Sequence, residues 1–318
     1  MSDGVHLLIP FAYSAVPECV RTLHALRLPH LEKLLARLVP QDLDAGDETT
    51  LSLAHERVIA RECALPTTDG CIPWAAWQVH LSGQDTQGEA WAFITPCHWQ
   101  VASAHISMGL PEDLLLDEAQ SRALLAAMQT YFEQDGIALQ YQAPTCWLAR
   151  GAVFRDLPTA SLDRAVGHSV DGWMPRSAQA RSLRRLQQEM QMLMYTHATN
   201  EDRIGRGLLP VNSFWVSGTG ALPATHSAAM PPGLTIDLTL REAALRGDWQ
   251  AWASAWQRLD AGECTRLLEL AHDGAPLRLT LCGERSARTW VSQTSGTWQR
   301  RIANLLQPKS VATQLENL

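Results

Sequence analysis

The seven cysteines (Cys19, Cys63, Cys71, Cys97, Cys146, Cys264 and Cys282) include no C-x-x-C pair. An odd number at wide spacing excludes a disulfide-stapled scaffold and argues for reduced thiols. The sequence contains no apolar run of about 18 residues, and the opening MSDGVHLLIPF puts no basic region ahead of its short apolar stretch. No membrane partner is expected, and the reading is of a soluble, cytoplasmic protein. There is no Walker loop and no serine-centred nucleophile elbow. Gly218-x-Gly220 lacks the third glycine and the following helix of a dinucleotide fingerprint, so no cofactor is expected. Charge is sparse as well: 19% of residues are charged and the net charge is −7, which repels a phosphate backbone and excludes a nucleic-acid partner unless a local basic patch exists. Arg176, Arg181, Arg184, Arg185, Arg203 and Arg206 make one small patch. Glu189, Glu201 and Asp202 offset it, in the manner of a solvated helix face.

Aromatic residues are unevenly chosen, with twelve Trp against four Tyr and five Phe. Trp249, Trp252 and Trp256 recur at helical spacing, which places most tryptophans in a core rather than on a ligand. A chain of 318 residues with 46% hydrophobic content is globular and long enough for one large α/β domain or two interlocked ones.

Val5 to Phe11 is a β-prone apolar run suited to a buried first strand, and helical patterns follow at 17–26 and 30–38. Residues 40–50 read as an exposed connection and 51–65 as helix. The aromatic and β-branched content of 74–81 and 90–101 predicts strands, with a further short one at 106–108. Asp117 to Phe132 is an amphipathic helix with Ala119, Leu124, Leu125 and Met128 inward and Gly136 as its cap; paired strands follow at 137–141 and 146–150. Residues 221–234, rich in Pro, Ala and small polar types, read as a linker. Helices are expected at 240–258, 260–273 and 297–306, with a hairpin at 277–282 and 287–292.

The most specific stretch is Ser182 to Gly220. Leu183, Leu186, Met190, Leu193 and His197 fall on one helical face, beside Gln187, Gln191 and Met194. Thr199 and Asn200 are good N-cap types for a second short helix bearing Glu201, Asp202, Arg203 and Arg206, which Gly207 would end. Pro210 to Val216 reads as a strand leading to a tight turn at Gly218 and Gly220 with accessible amides. Two arginines, a helix end and a glycine turn suit an anion. The expected ligand site is His197, Asn200, Arg203, Arg206, Asn212, Ser213, Gly218 and Gly220, with Glu189 and Gln191. The plain alternative is that both arginines pair with Glu201, Asp202 or Glu189 and only hold the turn.

Glu189 to Leu193, then His197, Asn200, Arg203, Arg206, Gly207, Pro210 to Ser213, Gly218 and Gly220, resemble a segment of uncharacterised proteobacterial proteins labelled cofactor-independent phosphoglycerate mutase or Rpf-type regulatory protein. Archaeal-type phosphoglycerate mutases carry a similar, shorter segment. Ala198 and Thr199 depart from the usual Pro-Val. The resemblance implies an alkaline-phosphatase-superfamily-like α/β fold: a mixed sheet core flanked by helices over 1–65 and 176–318, with an inserted α+β region over 66–175. In that superfamily the first strand ends in a metal-binding Asp, whereas here Pro10, Phe11 and Ala12 stand where a carboxylate is wanted.

Metal-dependent mutase chemistry needs two cation sites built from several Asp and His residues beside a Ser nucleophile. His272 with Asp273, and Asp69, are isolated and read as structural. Cys97 and His98, with His105 further on, are secondary candidates, as a nucleophile and base or as zinc ligands. Adjacent strand residues point to opposite faces, which works against direct cooperation. The expectation is a phosphoglycerate-mutase-like protein that binds a small phosphorylated or anionic ligand in a regulatory role, without metal-dependent catalysis. The competing expectation is an active mutase or phosphatase with metal ligands that the sequence does not reveal.

Overall fold

A computed structural model describes residues 4–101, 105–223, 229–292 and 310–318. In chain order these form β1 (Val5–Tyr13), α1 (Pro17–Ala25), α2 (Pro29–Arg37), β2 (Val39–Ala45), α3 (Ala54–Glu62), α4 (Trp74–Leu81), β3 (Ala90–Cys97), β4 (Trp99–Val101), β5 (Ile106–Met108), α5 (Glu118–Gln134), β6 (Ala138–Ala143) and β7 (Cys146–Arg150). After them come α6 (Leu162–Ala165), α7 (Arg181–Tyr195), α8 (Ala198–Gly205), β8 (Ser213–Ala221), β9 (Leu234–Ile236), α9 (Arg241–Leu245), α10 (Trp249–Leu259), α11 (Thr265–His272), β10 (Leu277–Gly283), β11 (Ser286–Val291) and α12 (Val311–Leu315). The expected helix at 297–306 and residues 224–228 of the expected linker lie outside the described residues. Among the described residues no helix is long and apolar enough to cross a membrane.

The chain makes two compact units, residues 1–49, 53–59 and 230–318 in one, and 50–52 and 60–229 in the other. The sequence reading drew the division elsewhere, keeping 176–229 with the terminal core. In the structure that stretch belongs to the second unit, because α7 and β8 bury their apolar faces there, with Leu183, Leu186, Met190 and Phe214 in the same core as Phe132 and Trp147.

The first unit is a five-stranded mixed sheet in the order β2-β11-β10-β1-β9, with β1 parallel to both β9 and β10. In β1 and β10 the residues Leu7 and Ile9 lie beside Leu279 and Leu281, so one face is wholly aliphatic. That face packs with Leu31, Leu34, Trp252, Trp256 and Leu267 of the helices. The other face places His6 and Thr280 in the buried sheet, where the His6 ring meets the Thr280 hydroxyl at 2.8 Å. The expected loop at 40–50 is in part the edge strand β2, whose Pro40, Asp42 and Asp44 are the residue types that protect an edge from further pairing.

The second unit is an antiparallel sheet in the order β6-β7-β3-β8, backed by α5 and α7, with a separate β4-β5 hairpin. Its hydrophobic centre is Trp147, Phe132, Phe214, Leu186 and Met190. The α5 face is as expected at Leu124, Leu125 and Met128, but Ala119 is exposed, one position outside the buried stripe. The segment 74–81 is a helix, not a strand: Ala75, Ala76 and Val79 are buried at helical spacing, and the Trp74 and Trp77 rings meet edge-on at 5.7 Å. Aromatic content alone does not set a strand when the apolar positions repeat with the helix period.

Candidate functional site

The Ser182–Gly220 stretch folds within the second unit, and each predicted ligand residue can be placed. His197 is the N-cap of α8, its Nδ1 accepting from the Thr199 amide at 3.2 Å, so neither Thr199 nor Asn200 has the capping role. Asn200 is 2% exposed; its Nδ2 donates to the Met194 and Val211 carbonyls at 2.8 and 2.7 Å, and its Oδ1 accepts from the Val211 amide at 2.9 Å. That amide clamps α7, α8 and the lead into β8 together. Asn212 does the same for the β4 segment, accepting from the Trp99 amide at 2.6 Å and donating to the Trp99 carbonyl at 2.9 Å.

Arg203 is committed within the fold. Its side chain is 0% exposed, with Nε donating to the Leu209 carbonyl at 2.9 Å, Nη1 to Gln120 Oε1 at 2.5 Å and Nη2 to the Leu114 carbonyl. Burial pushes its pKa below the usual arginine range, opposed by the field of Asp117. The guanidinium remains charged and is committed to the protein itself. Arg206 lies on the surface, 3.3 Å from Asp202. The two arginines therefore do not converge.

Gly218 and Gly220 are not a free turn. They sit inside β8 at a bulge, where the pairing with β3 steps from Trp91–Gly220 to Phe93–Ser217. Gly218 has φ +63°, and a Cβ there would stand 2.8 Å from the Phe93 ring and 3.1 Å from Trp74 Cβ. Glycine is needed for backbone geometry and packing, not for an exposed nest of amides. Ser213 is buried and receives long contacts of 3.4 Å from the amides of Gln187 and Gln191. Glu189 is drawn to Arg185 at 3.5 Å.

Of the secondary candidates, Cys97 is 1% exposed and burial raises its thiol pKa, which disfavours the thiolate. His98 Nδ1 meets the Pro210 carbonyl at 2.8 Å, and His105 is exposed. Among the described residues no group of three or more His, Cys, Asp or Glu could hold a metal ion. At the end of β1, Phe11 is in the core at φ +58°, its ring 5.4 Å from His55 and its carbonyl accepting from Trp252 Nε1 at 2.9 Å. The place where the resemblance wanted a carboxylate is filled by packed hydrocarbon. Asp69 is an anchor as well, accepting from the Leu51 and Ser52 amides at 2.9 and 2.8 Å.

A different feature of the same stretch is open. Between α7 and β8 lies a shallow crevice of about 20 Å³, room for little more than one water, lined by Met174, Pro175, Leu183, Arg184, Gln187, Phe214, Trp215 and Val216. Arg184 Nη1 is fixed by the carbonyls of Pro175 and Ser177 at 2.8 and 3.2 Å. Sequence reasoning placed Arg184 only in the small basic patch of a solvated helix face. The signal that could have found it is its position beside Leu183 and Gln187, at the border of that face.

No protein-family model matches the chain, and no curated protein matches it. Two solved structures are similar in layout. The cofactor-independent phosphoglycerate mutase from Thermoplasma acidophilum is 12% identical, over 99% of this chain and 99% of that one, with a TM-score of 0.35. The PH0037 protein from Pyrococcus horikoshii is 13% identical, over 92% of this chain and 88% of that one, with a TM-score of 0.42. Likenesses at this level carry no inference about function, and neither speaks to an Rpf-type role or a proteobacterial source.

Proposed function

We propose that this chain is a phosphoglycerate-mutase-like α/β protein that binds a small phosphorylated or otherwise anionic molecule in a regulatory role, without metal-dependent turnover. The observation that carries the binding part is Arg184, partly exposed on α7, whose Nη1 is steered by two backbone carbonyls while its Nε and Nη2 have no hydrogen-bond partner among the described residues. A cation held in place loses less freedom when it captures an anion, and a charge-assisted bond in a partly dry site is worth about 1.5–3 kcal/mol. The regulatory part follows from the sequence resemblance of residues 189–220, together with the hydrocarbon end of β1 at Phe11.

Calorimetric titration with a panel of phosphorylated and carboxylic anions tests it. At least one anion binds the wild type, and Arg184→Ala weakens that binding about tenfold or more while leaving the fold intact. Binding that survives Arg184→Ala removes Arg184 from the proposal. Conversion of 3-phosphoglycerate to 2-phosphoglycerate with added manganese removes the statement about turnover.

A further inference from the structure

At the start of α2 the His30 ring, 37% exposed, meets a buried carboxylate, with Nδ1 2.9 Å from Asp260 Oδ2. Asp260 is 4% exposed and belongs to the single π turn Asp260–Cys264 that joins α10 to α11. Its Oδ1 accepts from the Leu31 and His30 amides at 2.7 and 3.1 Å, so the carboxylate caps α2 from another helix and is held in place. A carboxylate fixed against Nδ1 accepts a hydrogen bond from the ring, which puts the proton on Nδ1 and leaves Nε2 with a free lone pair. Among the described residues Nε2 has no hydrogen-bond partner. Capping α2 needs only the two amides. The ring contact adds a fixed tautomer on a side chain that solvent reaches.

An imidazole oriented in this way is a nucleophile at Nε2, because the positive charge that spreads over the ring when Nε2 forms a bond falls against the carboxylate. Two cations set the class of electrophile. Lys33 lies one turn along α2, with its Cβ about 5–6 Å from that of His30 at this spacing, and Arg27 precedes the helix. Both are exposed, and neither has a partner among the described residues. Glu32, two positions from His30, lies on another side of α2, and Glu263 of the π turn is taken up by Arg266 at 2.8 Å. We infer that His30 is a phosphoryl-accepting residue, modified at Nε2 by a small acyl phosphate or phosphoramidate. In that step the Nε2 lone pair forms the N–P bond while the bond from phosphorus to the leaving group breaks. The leaving group departs with that electron pair, as ammonia from phosphoramidate. The Nδ1 proton stays on the ring against Asp260, and the phosphoryl oxygens come within reach of Lys33. His30 and Arg184 belong to different units, so this site and the anion reading at Arg184 stand or fall separately.

His98 supplies an internal comparison, since its ring is also partly exposed but its Nδ1 meets a neutral acceptor, the Pro210 carbonyl, at 2.8 Å. The full chain is incubated with potassium phosphoramidate at neutral pH. Phosphohistidine is located and timed by mass spectrometry of peptides kept alkaline, and phosphorus NMR tells Nε2 from Nδ1. The expected result is that His30 is phosphorylated at Nε2 about tenfold or more faster than His98 and than the exposed His105 and His168. Asp260→Asn, its folding checked by the thermal midpoint, brings His30 down to the His98 rate and leaves His98 unchanged. Lys33→Ala, an exposed change, slows His30 severalfold. Equal rates at His30 and His98 in the wild type overturn the proposal, as does modification of His30 at Nδ1, and this comparison decides even where Asp260→Asn does not fold. A folded Asp260→Asn protein whose His30 reacts as fast as the wild type also overturns it. An unchanged rate in Lys33→Ala overturns the choice of a phosphoryl group as the electrophile.

Discussion

Replacing Arg203 by alanine should cost stability rather than affinity. The side chain is fully buried and donates to the Leu114 carbonyl, the Leu209 carbonyl and Gln120 Oε1, which ties the Pro111–Leu114 turn and α5 to α8 and the chain after it. Truncation leaves three acceptors without their donor. A buried acceptor left unpaired costs about 1–3 kcal/mol, and water entering the vacated space recovers part of it. The expected loss is about 3–5 kcal/mol, a large share of a typical stability of roughly 5–15 kcal/mol. Arg203→Met separates the causes, because it restores hydrocarbon volume without any donor: if unmet carbonyls dominate, methionine is nearly as damaging as alanine. Arg203→Lys recovers part of the loss, since one ammonium cannot serve three acceptors spread around a planar fork. Urea denaturation of the four proteins gives the ranking, with m-values checked for constancy. A loss below about 1 kcal/mol for Arg203→Ala, or full recovery by methionine, would refute the assignment of Arg203 as a hydrogen-bonding clamp.

Other consequences can be checked separately. Gly218→Ala should destabilise by about 2–4 kcal/mol, from a left-handed φ and a clash with Phe93 and Trp74, whereas Gly207→Ala, at φ +73° with open space around it, should cost only about 1 kcal/mol; equal effects in thermal melts would contradict the packing role of Gly218. Asn200→Asp swaps the donor to Met194 and Val211 for a charged acceptor facing two carbonyls, so a loss of about 3 kcal/mol or more is expected in the same assay, and a neutral outcome would show that the clamp is dispensable. Cys97 should resist alkylation in the native protein, while Cys71 and Cys146, both partly exposed, react ahead of it; even Cys146, with its pKa pushed up to about 11 by burial, needs alkaline pH for speed, and mass spectrometry of the labelled peptides decides the order.

Periodicity determined much of this protein before any coordinates. The α5 and α7 helices, the first strand, the β6–β7 pair and the β10–β11 hairpin follow from apolar spacing and turn residues, because those signals act over a few neighbours along the chain. The 74–81 segment shows the limit, since tryptophan and valine suit either element and burial of Ala75, Ala76 and Val79 chose the helix. What a polar side chain does is settled at longer range. Arg203, Asn200 and Asn212 looked like a ligand set because their neighbours in sequence are polar, yet the partners of Arg203 and Asn212 include Leu114, Gln120 and Trp99, about eighty to more than a hundred positions away, and Asn200 is met by Val211, brought back past the turn at Arg206 and Gly207. Sequence lists the hydrogen-bonding groups, but only the tertiary structure decides which of them are consumed by buried carbonyls, and a consumed donor has nothing left for a ligand. Arg184 is the converse case. Its charge was visible from the start, and only the folded chain shows that one of its nitrogens is held by the Pro175 and Ser177 carbonyls while the others have no hydrogen-bond partner among the described residues.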